Sequence, residues 1–204
     1  MIRVLVVDDH PMMRAGIASE INTEPDMIVV GEAIDGREAI LQFRLHKPEV
    51  MLVDMRMPNM GGLETILKVR AEFPTARIVV LTTGGGDYQA IRAFRAGASG
   101  YLLKDMLGSE LVKTIRLVHE GHRCIPDEIA SKLFGSSGEA ELTVRELDVL
   151  RRAARGLSNK LIAEEMLISE HTVKGYLKNI MTKLQASDRT HAVTISIQRG
   201  FFDV

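Results

Sequence analysis

The sequence predicts an α/β domain with a doubly wound parallel sheet, followed by a small all-α domain. Over residues 1–120, short apolar runs alternate with segments of helical apolar spacing, which is typical of strand–helix units around a parallel sheet. Beyond residue 141 the strand signal stops and only helical spacing remains. The 204 residues are enough for two domains, each with its own core.

Five apolar runs are predicted to be strands: VLVV (4–7), MIVVGEA (27–33), VMLV (50–53), RIVVLT (77–82) and SGYLLK (99–104). The segment between the third and fourth runs, 62–73, has the apolar spacing of a helix. Its apolar residues are predicted to lie on one side: Leu63, Ile66, Leu67, Val69 and Phe73. A last helix at about 107–120 completes the domain.

Residues 121–141 are predicted to be a linker, because GSSGEAE at 135–141 is small, polar and flexible. Residues 142–204 then form the helical domain. Its helices are predicted at about 143–154, 158–166, 169–183 and 187–199. Thr143 and Glu146 make a capping box for the first of them, and Ser169 caps the third.

The composition narrows the possible classes of protein. With 46% hydrophobic and 26% charged residues, the chain has the make-up of a soluble globular protein. Its one cysteine, Cys124, cannot form an internal disulfide, so we expect a reducing cytoplasm. No apolar run approaches the ~20 residues that cross a bilayer, and the N-terminus lacks a signal-peptide layout, so no membrane role is expected.

Carboxylates follow two of the predicted strands. Asp8 and Asp9 end the first, and Asp54 ends the third. Ligands of open parallel sheets bind beyond the carboxyl ends of the strands, where the strand order reverses. If the order is 2-1-3-4-5, these ends are neighbours and three carboxylates converge. Such a cluster repels itself unless a cation neutralises it, and its oxygens suit Mg²⁺ or another hard divalent ion such as Mn²⁺.

The fourth and fifth strands end at Thr82, which offers a hydroxyl, and Lys104, which offers a fixed positive charge. With the carboxylates, these groups could hold a phosphoryl group on one carboxylate while metal and ammonium counter its charge. A single acid after a strand is often only a helix cap. Helix capping does not explain why such residues follow several strands at matching ends.

Four segments, VVDDHPMMRAGI, VDMRMPNMGGLE, VVLTT and GASGYLLKD, resemble the receiver domain of two-component response regulators, which has a flavodoxin/CheY-like (βα)5 fold of order 2-1-3-4-5. The resemblance implies that Asp54 accepts a phosphoryl group from a sensor histidine kinase and becomes 4-aspartylphosphate. It also implies that Asp9, Asp54 and the backbone carbonyl of Arg56 ligate Mg²⁺. Asp8 would lie in the outer shell of the metal.

The same resemblance assigns three further roles. Thr82 and Tyr101 match the switch pair, and Lys104 matches the lysine that pairs with the phosphorylated carboxylate.

The loop TTGGGDY departs from the family pattern. We hypothesise that Gly84, Gly85 and Gly86 make it unusually mobile, although a glycine tract is more often only a permissive turn. No Lys-Ser/Thr follows these glycines, so the loop is not a nucleotide-binding P-loop.

The segments 159–166 and 170–183 have helix-turn-helix proportions. The apolar residues of this region are predicted to form its inner stripe: Leu161, Ile162, Met166, Val173, Leu177, Ile180 and Leu184. Lys174 and Lys178 lie four apart on an exposed face, which a plain helical bundle could also show. Residues 151–183 hold seven Lys/Arg against three Glu, a balance of +4 that points modestly to an anionic partner.

The segment from LTVRELDVL to KNIMTKL resembles the DNA-binding domain of LuxR-type transcription factors, and with a receiver it places the chain in the NarL/FixJ class. The resemblance implies a helix-turn-helix at about 157–176 whose second helix enters the major groove of double-stranded DNA. Lys174, Gly175 and Lys178 would be the base-edge positions. Lys160 and Thr172 would contact phosphates.

Two residues depart from the LuxR-type pattern. Gly175 has no side chain with which to read a base, so readout would rest on the two lysines, with the glycine allowing a close approach. Tyr176 stands where the family commonly has histidine, and the sequence leaves open whether it donates to a phosphate or packs against the first helix. The family's last helix, here within SDRTHAVTISIQRGFF, pairs two DNA-binding domains.

These features predict a phosphorylation-controlled transcription factor and not a turnover enzyme. Its expected partners are a sensor histidine kinase, DNA, a second copy of the chain upon phosphorylation, and RNA polymerase. Two alternatives stay open. One is a Mg²⁺-dependent phosphohydrolase with Asp54 as nucleophile, although no carboxylate lies two residues beyond it. The other is a protein-interaction adaptor whose helical domain does not bind DNA, which Gly175 slightly favours.

Overall fold

A computed structural model describes residues 1–83, 86–134 and 142–202, and the chain divides into two compact units. Residues 1–83 and 90–134 form the first unit, and residues 86–89 and 142–202 are grouped in the second. Within the described residues, no helix is both long enough and apolar enough to cross a bilayer.

The first unit is built on a five-stranded parallel sheet of order β2-β1-β3-β4-β5, as predicted. Its strands are β1 (Ile2–Val7), β2 (Met27–Ala33), β3 (Val50–Asp54), β4 (Ile78–Thr82) and β5 (Gly100–Leu103). Every residue of β3 and β4 is buried, because helices cover both faces of the sheet. The order reverses between β1 and β3, so the carboxyl ends of these two strands border the crevice where ligands of such sheets bind.

Helices follow the strands in the order that the sequence predicts. They are α1 (Pro11–Thr23), α2 (Gly36–His46), α3 (Gly62–Glu72), α4 (Asp87–Ala96) and α5 (Leu107–His119), with a 3₁₀ turn at Lys104–Met106 before α5. A further helix, α6 (Asp127–Phe134), lies inside the segment predicted to be a linker. Ile129 of α6 is buried in the same apolar cluster as Tyr101, which explains why this part of the segment is ordered as a helix.

One predicted core residue of α3 is exposed. Ile66 and Val69 are fully buried against the sheet, whereas Leu67 is 53% exposed. Successive residues of an α-helix are about 100° apart around its axis. Leu67 therefore turns away from the face that Ile66 and Val69 bury, and its assignment to the inner side was wrong.

The second unit contains α7 (Val144–Ala154), α8 (Asn159–Met166), α9 (Glu170–Leu184) and α10 (Arg189–Gln198). The predicted capping box is present at the start of α7: the Thr143 N–H donates to Glu146 Oε2 over 2.7 Å, and the Glu146 N–H donates to the Thr143 hydroxyl over 3.3 Å. The Ser169 hydroxyl likewise caps α9 by accepting the Thr172 N–H.

The core of the helical domain is formed by one apolar face from each of its helices, including Ile162, Val173 and Ile180. Leu161 was predicted to be part of this stripe, and that prediction was wrong, because 48% of it is exposed. Adjacent residues of a helix point in different directions around its axis, so they cannot both point into the core. Ile162 is the one that points inward, and it is fully buried.

Candidate functional sites

The acidic residues of the first unit converge at the carboxyl ends of β1 and β3. These strands are hydrogen-bonded neighbours with Val7 opposite Val53, so Asp8 and Asp54 leave the sheet side by side. Possible ligand atoms of Asp8, Asp9, His10 and Asp54 all lie within 4.8 Å of one another. The convergence expected from the strand ends is therefore present, and His10 is an addition that the strand-end argument did not include.

Lys104 bridges two of these carboxylates. Its Nζ lies 2.6 Å from Asp8 Oδ2 and 2.9 Å from Asp54 Oδ2, and the lysine side chain is only 5% exposed. Burial raises the pKa of Asp54, against the opposing effect of the Lys104 ammonium. Burial alone would lower the pKa of Lys104, but its bonds to the two carboxylates outweigh this and raise it. One ammonium facing two carboxylates leaves an excess of negative charge in a buried site.

The donor set fits a hard divalent cation. Asp9 Oδ1 is buried and accepts no hydrogen bond of ordinary geometry within the described part of the chain, although His10 Nδ1 lies 2.8 Å away. Carboxylate oxygens with room for water are the ligands that Mg²⁺ and Mn²⁺ prefer. The His10 ring is 70% exposed, and the His10 backbone N–H donates to Asp8 Oδ1 over 2.9 Å.

The loop after β3, residues 55–61, contains Arg56, whose carbonyl is the expected third protein ligand of the metal. The Arg56 N–H points to Asp54 Oδ1 over 3.3 Å, so this part of the backbone lies beside the carboxylate. Gly62, at the start of α3, approaches the same strand end closely: a Cβ there would lie 2.4 Å from the Asp54 carbonyl oxygen. Only glycine allows that approach.

The two predicted switch residues lie on neighbouring strands. Thr82 is the last residue of β4, pairs with Leu103 and is 1% exposed. Tyr101 lies on β5 with its ring buried and 6.4 Å from the Phe94 ring, between ring centroids. Gly84, Gly85 and Gly86 were predicted to form an unusually mobile loop. Gly84 and Gly85 lie outside the described residues.

The predicted base-reading positions lie on the exposed face of α9. Lys174 and Lys178 are exposed, and Gly175 has open space where a Cβ would stand. Lys174 forms an ion pair with Glu170 over 3.0 Å, and both side chains are about half exposed. Exposed pairs of this kind contribute only about 0.3–0.5 kcal/mol, so a phosphate or a base edge can replace Glu170 at little cost.

The remaining predicted DNA contacts differ in their surroundings. Tyr176 is half-buried and packs against the core of the helical domain, which favours the packing role that the sequence left open. Lys160 is exposed in the first turn of α8, and Thr172 is exposed in the first turn of α9. Helix N-termini carry partial positive charge, so both exposed side chains suit phosphate contacts although Ser158 and Ser169 already cap the two helices.

Comparison with known proteins gives two family matches. Residues 4–116 match the response regulator receiver domain, and residues 140–196 match the bacterial regulatory proteins of the luxR family. The chain is 39% identical to the uncharacterized transcriptional regulatory protein YxjL of Bacillus subtilis, over 98% of this chain and 96% of that protein. It is 36% identical over the same shares to the nitrate/nitrite response regulator protein NarL of Escherichia coli.

The chain belongs to the NarL/LuxR family of response regulators. Among solved structures, the response regulator ChrA of a heme-sensing two-component system has a TM-score of 0.56 and 34% identity, and the alignment covers 98% of both chains. RcsB of Salmonella enterica, bound to a promoter in the presence of the phosphomimetic BeF₃⁻, has a TM-score of 0.72 and 26% identity over 95% of this response regulator and 97% of RcsB.

The family assigns the parts of this response regulator. The parallel sheet is its receiver, and the helical unit is its LuxR-type DNA-binding domain. The match to a DNA-binding family weighs against an adaptor whose helical domain does not bind DNA. Arg56, and no carboxylate, lies two residues beyond Asp54, where a phosphohydrolase of the alternative class would need its second acid.

Proposed function

We propose that Asp54 of this response regulator accepts a phosphoryl group from a sensor histidine kinase. The resulting 4-aspartylphosphate controls dimerisation and sequence-specific binding of double-stranded DNA, and thereby transcription. The observation that carries the proposal is the buried Asp54 carboxylate, which lies at the switch point of the sheet with Lys104 on one oxygen and two further aspartates beside it. Its place of action is the cytoplasm, where kinase domain and DNA are both accessible, and RNA polymerase is a further partner.

In the chemical step, an Asp54 oxygen attacks the phosphorus of a phosphohistidine. The P–O bond forms as the P–N bond breaks, and the electron pair leaves with the imidazole nitrogen. The Arg56 N–H and the Lys104 ammonium hold the two carboxylate oxygens, which orients Asp54 for attack. Asp9, Asp54 and the Arg56 carbonyl would hold a Mg²⁺ or Mn²⁺ ion, which would supply positive charge beside the transferring phosphoryl oxygens.

The phosphoryl group changes which contacts are favourable in the receiver. The Thr82 hydroxyl, at the end of β4, can donate to a phosphoryl oxygen that is absent before phosphorylation. Lys104 can bind a second one, because its present partners are the neighbouring carboxylates. A ligand shifts an equilibrium only through such differential contacts. Tyr101, buried on the adjacent strand, would follow the movement of Thr82.

The DNA-binding domain uses α9 as the recognition helix. Lys174 and Lys178 reach base edges, Gly175 brings the backbone close to the groove, and Lys160 and Thr172 contact phosphates. A two-fold dimer would read half-sites about 10 base pairs apart. The proposal is supported by RcsB, which is bound to a promoter in its solved structure.

The test is the Asp54→Asn variant, treated with acetyl phosphate and Mg²⁺ beside the wild type. Asparagine keeps the shape of the side chain but cannot form an acyl phosphate, so the mass increase and the phosphodonor-dependent dimerisation should both disappear. Asp148→Asn is a matched control, because among the described residues the side chain of Asp148 has only a long, 3.8 Å ion pair, to Arg151. Unchanged phosphorylation-dependent dimerisation of Asp54→Asn, measured by analytical ultracentrifugation, would refute the proposal.

A further inference from the structure

The loop between β3 and α3, residues 55–61, is hydrogen-bonded to the N-terminus of α2. The Asn59 side chain donates from Nδ2 to Asp35 Oδ2 over 2.8 Å. The Gly36 N–H donates to the Met60 carbonyl over 3.0 Å. The loop is therefore held at the N-terminus of α2 by one side-chain hydrogen bond and one backbone hydrogen bond.

Asp35, which binds the loop through Asn59, is itself held in place. Asp35 is the N-cap of α2, and its Oδ1 accepts the N–H groups of Arg37 and Glu38, each over 2.9 Å. Its other oxygen, Oδ2, is thus the one that binds Asn59. The residue is only 8% exposed. The Glu38 N–H, and then the Asn59 amide, hold the pKa of Asp35 below its usual value, so the carboxylate is charged and its bond to Asn59 is strengthened.

The loop contains one left-handed residue, which this bond holds in place. Asn59 has a φ of 60°, in the left-handed region that residues with a side chain seldom adopt. The loop also lies close to the start of α2: a Cβ on Gly36 would lie 2.7 Å from Met60 Cγ and 2.9 Å from the Met60 carbonyl oxygen. The bond to Asp35 holds the loop in this position, and the missing side chain of Gly36 makes room for it.

The first residues of the same loop lie beside Asp54, the proposed phosphoacceptor. The Met55 N–H donates to the Leu81 carbonyl over 3.2 Å, and the Gly62 N–H donates to the Met55 carbonyl over 3.1 Å. Between these two bonds and the Asn59 anchor lies Arg56, whose N–H points to Asp54 Oδ1. The direction of the Arg56 carbonyl is therefore set by loop bonds on both sides of it.

We propose that Asp35 and Asn59 are positioning residues of the phosphoacceptor site, which fix the loop so that the Arg56 carbonyl faces the divalent ion and the Arg56 N–H faces Asp54. This inference rests on the proposed function, since it assumes that the carboxylate cluster binds Mg²⁺. Neither residue is part of the cluster formed by Asp8, Asp9, His10 and Asp54. Both act through the backbone of Arg56.

Three variants separate this role from simple folding effects. Asn59→Gly removes the amide and keeps a residue that tolerates φ near 60°. Asn59→Asp places a second carboxylate against Asp35 and should push the loop away. The swap Asp35→Asn with Asn59→Asp restores one donor and one acceptor, and asparagine caps helices as well as aspartate does. Asn179→Asp, at an exposed position of α9, repeats the same chemical change elsewhere.

The readout is the Mg²⁺ affinity of the full chain, measured by titration calorimetry. We expect Asn59→Gly and Asn59→Asp to weaken binding by about tenfold, as the loss of an outer-shell partner typically does. Added negative charge near a cation site would by itself strengthen binding, so a weaker Asn59→Asp separates loop position from electrostatics. The swap should recover most of the affinity, and Asn179→Asp should match the wild type.

Each result decides between the two proposals. If the wild type binds Mg²⁺ and the Asn59 variants bind it equally well, the positioning role is refuted while the proposed phosphoacceptor site stands. A lowered melting temperature with unchanged Mg²⁺ affinity would refute it in the same way, since it would show a purely structural cap. If the wild type binds no Mg²⁺, the metal site itself is refuted, and the positioning role with it.

Discussion

Replacing Lys104 with methionine should destabilise the receiver more than any exposed charge change. The Lys104 ammonium lies between Asp8 and Asp54, whose side chains are 0% and 5% exposed. Methionine has a similar length and volume, so the apolar packing changes little. The variant therefore removes the positive charge and leaves two buried carboxylates close together.

The expected cost follows from that geometry. Removing one partner of a buried ion pair typically destabilises a protein by about 3–5 kcal/mol, because the other charge stays buried and unpaired. For a domain of this size, such a loss corresponds to a fall in melting temperature of roughly 10–20 °C. Lys113→Met is the matched control: its Nζ is 3.2 Å from Glu110, but its side chain is 66% exposed, and the expected loss is under about 1 kcal/mol.

The assay is hydrogen exchange of the amides of β3 and β4 in a chelating buffer, because these buried strands report the opening free energy of the receiver alone. Addition of Mg²⁺ should then stabilise Lys104→Met more than the wild type, since the ion replaces the missing positive charge and no longer meets a repelling ammonium. If Lys104→Met and Lys113→Met lose equal stability in chelator, the carboxylates are not held by Lys104 and the reasoning fails.

Three further predictions concern the DNA-binding domain. The buried Glu146 binds Lys183 over 2.7 Å; burial would raise the pKa of Glu146, but Lys183 and Thr143 hold it below the usual value. A depressed carboxyl pKa stabilises the fold above the unfolded pKa of about 4.3, and this contribution is lost as pH falls through the folded pKa. Lys183→Met should therefore lower the urea midpoint at pH 7 and lower it progressively less as the pH falls below the unfolded pKa of the carboxyl; a loss that does not change with pH would contradict the assignment. Gly175→Ala should stabilise α9 by about 0.5–1 kcal/mol, because the added Cβ meets nothing within 4 Å, and it should weaken DNA binding if the backbone approaches the groove closely. Lys178→Ala should cost about 1–3 kcal/mol on a selected DNA site and less on random DNA; equal losses on both would exclude base reading by Lys178.

The sequence predicted the parts of the site that depend on strand ends. Asp54, Thr82 and Lys104 each end or follow a buried strand, and the parallel sheet brings such positions to one edge whatever the loops do. The local helix caps were predictable for a similar reason, since Thr143 and Glu146 are only three residues apart. Signals of this kind need no knowledge of the tertiary fold beyond its class.

The features that were not predicted depend on long-range packing. Asp35 and Asn59 are 24 residues apart and meet only because the loop after β3 folds back onto α2. No periodicity encodes that meeting, although the left-handed φ of Asn59 fits the tolerance of asparagine for turns. Helix α6 likewise lies in the segment predicted to be a linker. The helix is ordered because Ile129 enters an apolar cluster of the receiver, and no local pattern in the sequence predicts that contact.

The adjacency of Asp8 and Asp9 finds a physical explanation in their different surroundings. Asp8 is fully buried: its Oδ1 accepts the His10 N–H, and its Oδ2, which like Asp9 Oδ1 accepts no hydrogen bond of ordinary geometry in the described chain, faces the Lys104 ammonium over 2.6 Å. Asp9 is 30% exposed, and its Oδ1 accepts no ordinary hydrogen bond in the described chain. A cation at Asp8 Oδ2 would meet the fixed positive charge of Lys104, whereas the group beside Asp9 Oδ1 is the His10 ring, which is 70% exposed. This contrast supports a direct metal contact for Asp9 and an outer-shell role for Asp8, with Lys104 linking Asp8 to Asp54, the proposed phosphoacceptor.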